Sequence, residues 1–336
     1  MDVCTEKSRS VTAAARKNPI RAVKIHKRGN KWAFIIIYKH AIIIYNKKEE
    51  KMNSFVRDFA REKLCFYSSM FKGRSSAFEI MNHAIEKGCA GVELMSFCDE
   101  LRLPDMRIAR ELGELAHKNK LRLPCLSVGM NLVADTDDEM MKRAKGYIDI
   151  CEMLEIPYFH HTVASRLSAA FEGEERAVCF RIGVEKSLEL ADYANARGVK
   201  TIVEDQGFLF NGVKPFREFK EAMSDRIGVL LDVGNIYFVD ETATDFARAF
   251  ASEIDHVHLK DYYFTKEPPV GRGYYTSLCG NYIYGVKDGE GVIDFRSVAG
   301  VLRDAKYCGV YSLEFNILTD DIVDHTFEYY ASVFGS

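Results

Sequence analysis

Between residues 200 and 260 the chain reads Lys200-Thr-Ile-Val-Glu204, then Gly228-Val-Leu-Leu-Asp232, then Asp255-His-Val-His-Leu-Lys260. Each run is short and rich in β-branched or apolar residues. Helix-period segments separate them, at Lys214–Met223 and Thr244–Ser252. Strands alternating with helices in this way pair in parallel through right-handed crossovers. Outward from there the same alternation places strands at Leu64–Ser68, Gly91–Met95, Pro124–Met130, Tyr158–Val163 and Val310–Phe315. Helices fall at Ser76–Lys87, Met106–Asn119, Asp138–Leu154, Arg176–Arg197, Phe295–Lys306 and Asp321–Val333. Cap chemistry at Asp137-Asp138 and Thr242, and stops at Gly88, Gly198 and Gly309, punctuate the series. Eight such units between Leu64 and Val333 match the count and size of an α/β protein of the (β/α)8 TIM barrel type. A doubly wound open sheet would call for a glycine-rich phosphate turn, and neither G-x-G-x-x-G nor a Walker A pattern occurs.

The net charge of -3 conceals two unlike segments. Residues 1–51 hold 13 Lys and Arg against 4 Asp and Glu, a net of +9, and the remainder holds 33 against 45, a net of -12. Residues 1–51 read as a basic N-terminal extension, non-native or disordered, and residues 52–336 as the barrel. Within the extension, Phe34-Ile-Ile-Ile37 and Ile42-Ile-Ile44 suggest a hairpin, which Lys39-His40 disfavours as weak turn chemistry. A chain beginning at Met52 is expected to fold and work. An acidic body argues against nucleic acid as a partner, because that affinity rests on cationic contacts. No apolar run reaches the length of about 20 residues that a membrane span needs. Nine cysteines without a C-x-x-C pair read as thiols of a reducing compartment, the cytoplasm.

In a barrel of this kind the reacting groups stand at the C-terminal ends of the strands. Those positions hold Glu204, Asp232, His258 and Glu314, spaced by 28, 26 and 56 residues. The last interval contains the long stretch Thr265–Gly291. Three carboxylates cannot all stay ionised together in a low dielectric without compensation. A divalent cation would supply it, and three carboxylates with one imidazole suit Mn2+ first, with Mg2+, Co2+ or Zn2+ as alternatives. Any one of these residues alone would read as a strand-end carboxylate bonded to a loop; four in register favour a metal site. His256, two residues before His258 on the same strand face, reads as a satisfied core histidine one layer deeper.

Read together, Gly91-Val-Glu-Leu94, Asp232-Val-Gly-Asn235, His256-Val-His-Leu-Lys-Asp261, Gly289-Glu-Gly-Val-Ile-Asp-Phe295 and Tyr307-Cys-Gly-Val-Tyr-Ser-Leu-Glu314 carry a resemblance. From about Leu64 to the C-terminus the chain is similar to the sugar phosphate isomerase/epimerase family, the xylose isomerase-like barrels that include the endonuclease IV type. The resemblance implies one divalent metal held by Glu204, Asp232, His258 and Glu314, with Glu204 and Glu314 also acting as the acid/base pair. It implies proton transfer through a metal-stabilised enediolate of a sugar, sugar phosphate or inosose, giving isomerisation or epimerisation. A dehydratase at the same site, an endonuclease IV-like phosphodiesterase and a non-catalytic sugar-binding barrel are the alternatives. The family's epimerases carry histidine where this chain has Asn235 and arginine where it has Phe264, so the sugar is expected to differ.

Weaker expectations complete the reading. Adjacent His160 and His161 face opposite ways, and His161 is the expected substrate contact. Glu93 would bind a sugar hydroxyl or pair with a helix cap. Asn235 stands at a substrate-orienting position. Lys260-Asp261 would orient substrate or pair at the barrel rim. Thr265–Gly291 would be a lid in which Arg272 meets a phosphate. Met130 and Asn131 would wall the pocket. The partner is a small sugar or polyol, with a homo-oligomer left open.

Overall fold

The structure, a computed structural model, describes residues 21–28, 31–38, 41–48, 52–67, 76–134, 138–167, 169–224, 226–314 and 320–335. It divides into Met1–Asn53 and Ser54–Ser336. In the first unit β1 (Arg21–Arg28), β2 (Lys31–Tyr38) and β3 (Ala41–Lys48) form an antiparallel sheet in that order. A hairpin, disfavoured by Lys39-His40, is what β2 and β3 nonetheless make. Their register sets Ile35, Ile36 and Ile37 opposite Ile44, Ile43 and Ile42, and runs of β-branched residues are good strand formers.

The second unit opens with α1 (Ser54–Lys63), which lies before the first expected strand and which the alternation did not include. Its apolar side, Val56, Phe59 and Ala60, is buried, at helical spacing. Then follow β4 (Leu64–Tyr67), α2 (Ala77–Lys87), β5 (Gly91–Met95), α3 (Met106–Asn119), β6 (Cys125–Val128), α4 (Glu139–Met153), β7 (Tyr158–His161) and α5 (Gly173–Asn195). The chain continues through β8 (Lys200–Glu204), α6 (Val213–Ala222), β9 (Gly228–Asp232), α7 (Ala243–Phe250) and β10 (Ile254–Leu259). It ends with β11 (Tyr262–Thr265), β12 (Tyr275–Thr276), β13 (Tyr282–Gly285), α8 (Phe295–Asp304), β14 (Tyr311–Leu313) and α9 (Asp320–Phe334). Strands β4-β5-β6-β7-β8-β9-β10-β14 close into a barrel, the architecture that the alternation requires. Ser68, Asp137 and Phe315, the outer ends of expected elements, lie outside the described residues.

Local chemistry explains the helix starts. The Ser76 hydroxyl accepts from the Glu79 N–H, and that of Thr242 from the Asp245 N–H at 3.2 Å. Asp138 does not cap its helix as expected; it takes φ 58° and its carboxylate pairs with Lys186 at 3.1 Å instead. Inside the barrel, Cys125, Ile202 and Leu230 pack together with Tyr158. Outside it, Phe216 meets Phe246 and Phe250 edge-on at 5.1 Å each. All three rings are fully buried, and truncating one to alanine costs about 3–5 kcal/mol.

The stretch after β10 is not irregular. β11, β13 and β12 make a small antiparallel sheet, with Tyr262 opposite Gly285 and Tyr275 opposite Ile283. The aromatic and β-branched residues in Tyr262-Tyr-Phe-Thr265 and Tyr282-Ile-Tyr284 are good strand formers.

Candidate metal and proton-transfer site

Parallel register brings the strand ends to one level. His258 on β10 is paired with Asp232 of β9 on one side and with Ser312 of β14 on the other. Glu204 ends β8, and the Glu314 N–H closes onto the Leu259 carbonyl at 2.9 Å. The Asp232 carboxylate is fixed from its own turn, its Oδ1 accepting from the N–H groups of Gly234 (2.8 Å) and Asn235 (2.9 Å). Residue 234 must be glycine there, since a Cβ would stand 2.6 Å from the Tyr262 ring and 2.9 Å from Lys260 Cε.

His258 decides what the cluster holds. Its Nε2 lies 3.0 and 3.1 Å from the two Glu93 oxygens. A carboxylate only accepts, so Nε2 carries a proton, and Nδ1 presents a lone pair whenever the ring is neutral. Among the described residues Nδ1 has no hydrogen-bond partner. It faces Glu314 Oε2 at 3.5 Å, Asp232 Oδ2 at 3.8 Å and Glu204 Oε2 at 3.9 Å. A lone pair aimed at three carboxylate oxygens is tolerable only with positive charge among them. Glu204, Asp232 and His258 lie close enough together to share one ion. These residues therefore fit a divalent metal, with Glu314 at the edge of the set.

The charges agree. Lys260 Nζ, itself buried, lies 2.8 Å from Asp232 Oδ2 and 2.9 Å from Glu314 Oε2. Burial opposes charge on His258, but Glu93 and Glu314 raise its pKa well above the ordinary value. Four carboxylates, Glu93, Glu204, Asp232 and Glu314, thus face Lys260 alone while His258 keeps its Nδ1 lone pair, a deficit of three positive charges that protonation of His258 lessens to two. The strain falls on two of the four. Burial and the neighbouring Asp232 and Glu314 charges raise the Glu204 carboxyl. Burial raises Asp232 as well, to about 6 in spite of Lys260. Glu314 goes the other way: Lys260 and His258 overcome its burial and hold it below the usual carboxylate range.

A cavity of about 560 Å³ opens above the cluster, and Glu204, Glu314, His160, Met130 and Asn131 are among the residues that line it. Several expected substrate contacts have other positions. Of the two β7 histidines it is His160, not His161, that lines the cavity. His161 lies on the outer side of β7 against Phe159, ring centroids 5.9 Å apart, and is fully buried. His160 faces inward, set by its register opposite Ser127. Glu93 is not among the residues that line the cavity. It is fully buried beneath the cluster and holds His258, His256 (2.8 Å) and Ser127. His256 is the deeper histidine that its position suggested, also bonded to Ser312 at 2.9 Å.

Asn235 is buried and donates to Glu204 Oε2 at 3.2 Å, so it orients a carboxylate. Lys260 joins the cluster instead of pairing with Asp261. The Asp261 carboxylate accepts from the Gly289 and Gly291 N–H groups at 2.9 Å each. A Cβ at Gly291 would stand 2.0 Å from Asp261 Oδ1, which gives the Gly289-Glu-Gly291 text its structural reason. Arg272 rests 4.8 Å from the Tyr284 ring centroid, away from the cavity lining.

Two participants escaped the sequence reading. Ser127 gives its one proton to Glu93, so His160 Nδ1, 2.8 Å from Ser127 Oγ, must donate to it. That leaves His160 Nε2 as an acceptor, without a partner among the described residues, 3.6 Å from Glu204 Oε1. Asp205, fully buried, accepts from the Asp232 N–H at 3.4 Å. Its position directly after Glu204 was the available signal.

The model of the family described as xylose isomerase-like TIM barrel matches residues 81–330. No curated protein matches the sequence. Among solved structures, D-psicose 3-epimerase of Clostridium cellulolyticum H10, crystallised with D-tagatose, is 17% identical, with TM-score 0.59 over 82% of this chain and 92% of that one. The IolI protein with a bound zinc atom is 18% identical, with TM-score 0.58 over 81% and 95%. A xylose isomerase-like TIM barrel protein of Mycobacterium smegmatis in complex with magnesium is 16% identical, with TM-score 0.59 over 76% and 87%. At these identities the likeness is one of fold.

Proposed function

Since this chain belongs to the xylose isomerase-like TIM barrel family, we propose that it is a metal-dependent isomerase or epimerase of a small keto sugar or polyol. It would move a proton at the carbon beside the carbonyl. One observation carries the reading: Glu204 and Glu314 line a single cavity while their surroundings drive their proton affinities apart. Two carboxyls separated in this way are the mark of an acid and a base in one site.

Glu314, kept ionised by Lys260, is the base that takes the α-proton. Glu204, which holds a proton more readily, returns one, oriented by the Asn235 amide. Return to the other face of the same carbon epimerises, and return to the neighbouring carbon isomerises. His160 Nε2 would accept a substrate hydroxyl beside Glu204. A divalent ion held by Glu204, Asp232 and His258, with Glu314 within reach, would polarise the carbonyl and lower the barrier to proton loss. An oxygen-rich set with one imidazole favours Mn2+, with Mg2+, Co2+ or Zn2+ as alternatives. Support also comes from fold neighbours solved with zinc, with magnesium and with D-tagatose. The eight described cysteines are all free, in keeping with a cytoplasmic protein. Metal analysis of the purified protein tests the premise: about one divalent ion per chain is expected. A protein that takes up no metal, or three zinc ions, would overturn it.

A further inference from the structure

The cavity above the cluster has room for more than one sugar ring and is partly apolar in its lining. At about 560 Å³ it falls among pockets that enclose drug-sized ligands. Its floor carries the polar groups already described. Its outer wall includes Met95, Phe97, Met130 and Tyr275. Two of these are rings left half in solvent, Phe97 at 60% exposure and Tyr275 at 52%.

Both rings are seated from behind. Phe97 lies on the backbone of Gly129, where a Cβ would come 3.0 Å from its Cζ. Tyr275 sits on β12 and meets Phe238 edge-on, centroids 5.3 Å apart at 89°. Exposed aromatic rings fixed beside a reactive floor are surfaces on which a flat or C–H-rich face can lie. Charge points the same way. Among the described residues lining the cavity there is no lysine or arginine. Lys260 is engaged by Asp232 and Glu314, and Arg272 by Tyr284. A phosphate dianion is normally met by such cations.

We infer that the cavity contains an outer subsite, walled by Phe97 and Tyr275, for a second ring, glycosyl or aryl, carried by an uncharged keto sugar. The inference rests on the proton-transfer reading of the floor, and the test separates the two. The full chain loaded with Mn2+ is incubated in D2O with D-fructose, D-fructose 6-phosphate, lactulose and 4-O-benzyl-D-fructose, and α-proton exchange is followed by NMR. Lactulose carries a galactosyl ring on O4 and the benzyl ether an aryl ring, so these two arms identify the occupant. The expected result is a kcat/KM for one of the two-ring ketoses at least tenfold above that for D-fructose, with the phosphate slowest. Phe97→Ala and Tyr275→Ala should each shrink that ratio at least fivefold, and Phe97→Trp and Tyr275→Phe should keep it. The inference is overturned if D-fructose or its phosphate exchanges as fast as the two-ring ketoses, or if both alanine variants keep the ratio. Exchange with none of the four overturns the proton-transfer reading itself, and this inference with it.

Discussion

Replacing Lys260 with methionine keeps most of the side chain's volume and removes the ammonium that touches two proposed metal ligands. That ammonium lies 2.8 Å from Asp232 and 2.9 Å from Glu314, with Asp232 fully buried. Deleting one partner of a buried ion pair costs about 3–5 kcal/mol, because the other is left uncompensated. At roughly 2–4 °C per kcal/mol for a large domain, the metal-free variant should melt on the order of 10 °C below its parent at pH 8. The pH dependence has a definite sign. Burial favours the neutral form of Glu314, and Lys260 is the chief reason its carboxyl lies low. Without Lys260 the folded pKa of Glu314 rises, and that of Asp232, already about 6 with Lys260 present, rises further, so the penalty is felt while these carboxylates are ionised and fades as pH falls. The deficit should therefore shrink at pH 5. It should also shrink with saturating Mn2+, which supplies the missing charge, and by linkage the variant should bind Mn2+ at least tenfold more tightly. Calorimetric melts at pH 5 and 8, with EDTA or with Mn2+, and a metal titration would measure all of this. A metal-free variant melting within about 2 °C of the parent at pH 8, or a deficit that Mn2+ leaves unchanged, would refute the reasoning.

Other consequences can be checked separately. Glu93→Gln leaves His256, His258 and Ser127 with too few acceptors, so the protein should fold yet bind Mn2+ about 10–100-fold more weakly; an unchanged titration would rule out Glu93 as the orienting group. Burial lowers the His161 pKa to about 4, so the unfolded state binds protons first. Stability on this account is full above about pH 6.5 and falls by about 1.4 kcal/mol per unit towards pH 4, roughly 3 kcal/mol in all. Urea unfolding of His161→Leu at pH 7, 5.5 and 4 should show a flatter acid limb, and parallel slopes would contradict the assignment. A chain beginning at Met52 should melt and exchange like the full protein, whereas one beginning at Leu64 loses the stacking of Phe59 on Tyr311 and should fail to fold.

The barrel was legible because its strands are buried runs and its helices are periodic, so Lys200–Glu204 and Gly228–Asp232 stand at their expected bounds. The four strand-end residues were legible because their position follows from those bounds alone. What escaped depended on facing or pairing. His160 and His161 are indistinguishable until β7 is set against β6, where His160 falls opposite Ser127. Glu93 lies in mid-strand, and its inward turn towards two histidines 163 and 165 residues away is a matter of tertiary contact. The sheet of β11, β12 and β13 was hidden because its strand-forming residues are interrupted by Pro268, Pro269 and four glycines between residues 271 and 285. Lys260 read as a rim residue because its neighbour in sequence, Asp261, looked like its partner; in space Asp232 and Glu314 are nearer.

The central claim is that Glu204 and Glu314 together move a substrate proton over a bound metal. Exchange of the α-proton with D2O, measured at saturating Mn2+ for the parent chain and for Glu204→Gln and Glu314→Gln, tests it most directly. Exchange is expected in the parent, and its loss in each variant. Exchange that persists in both variants would contradict it.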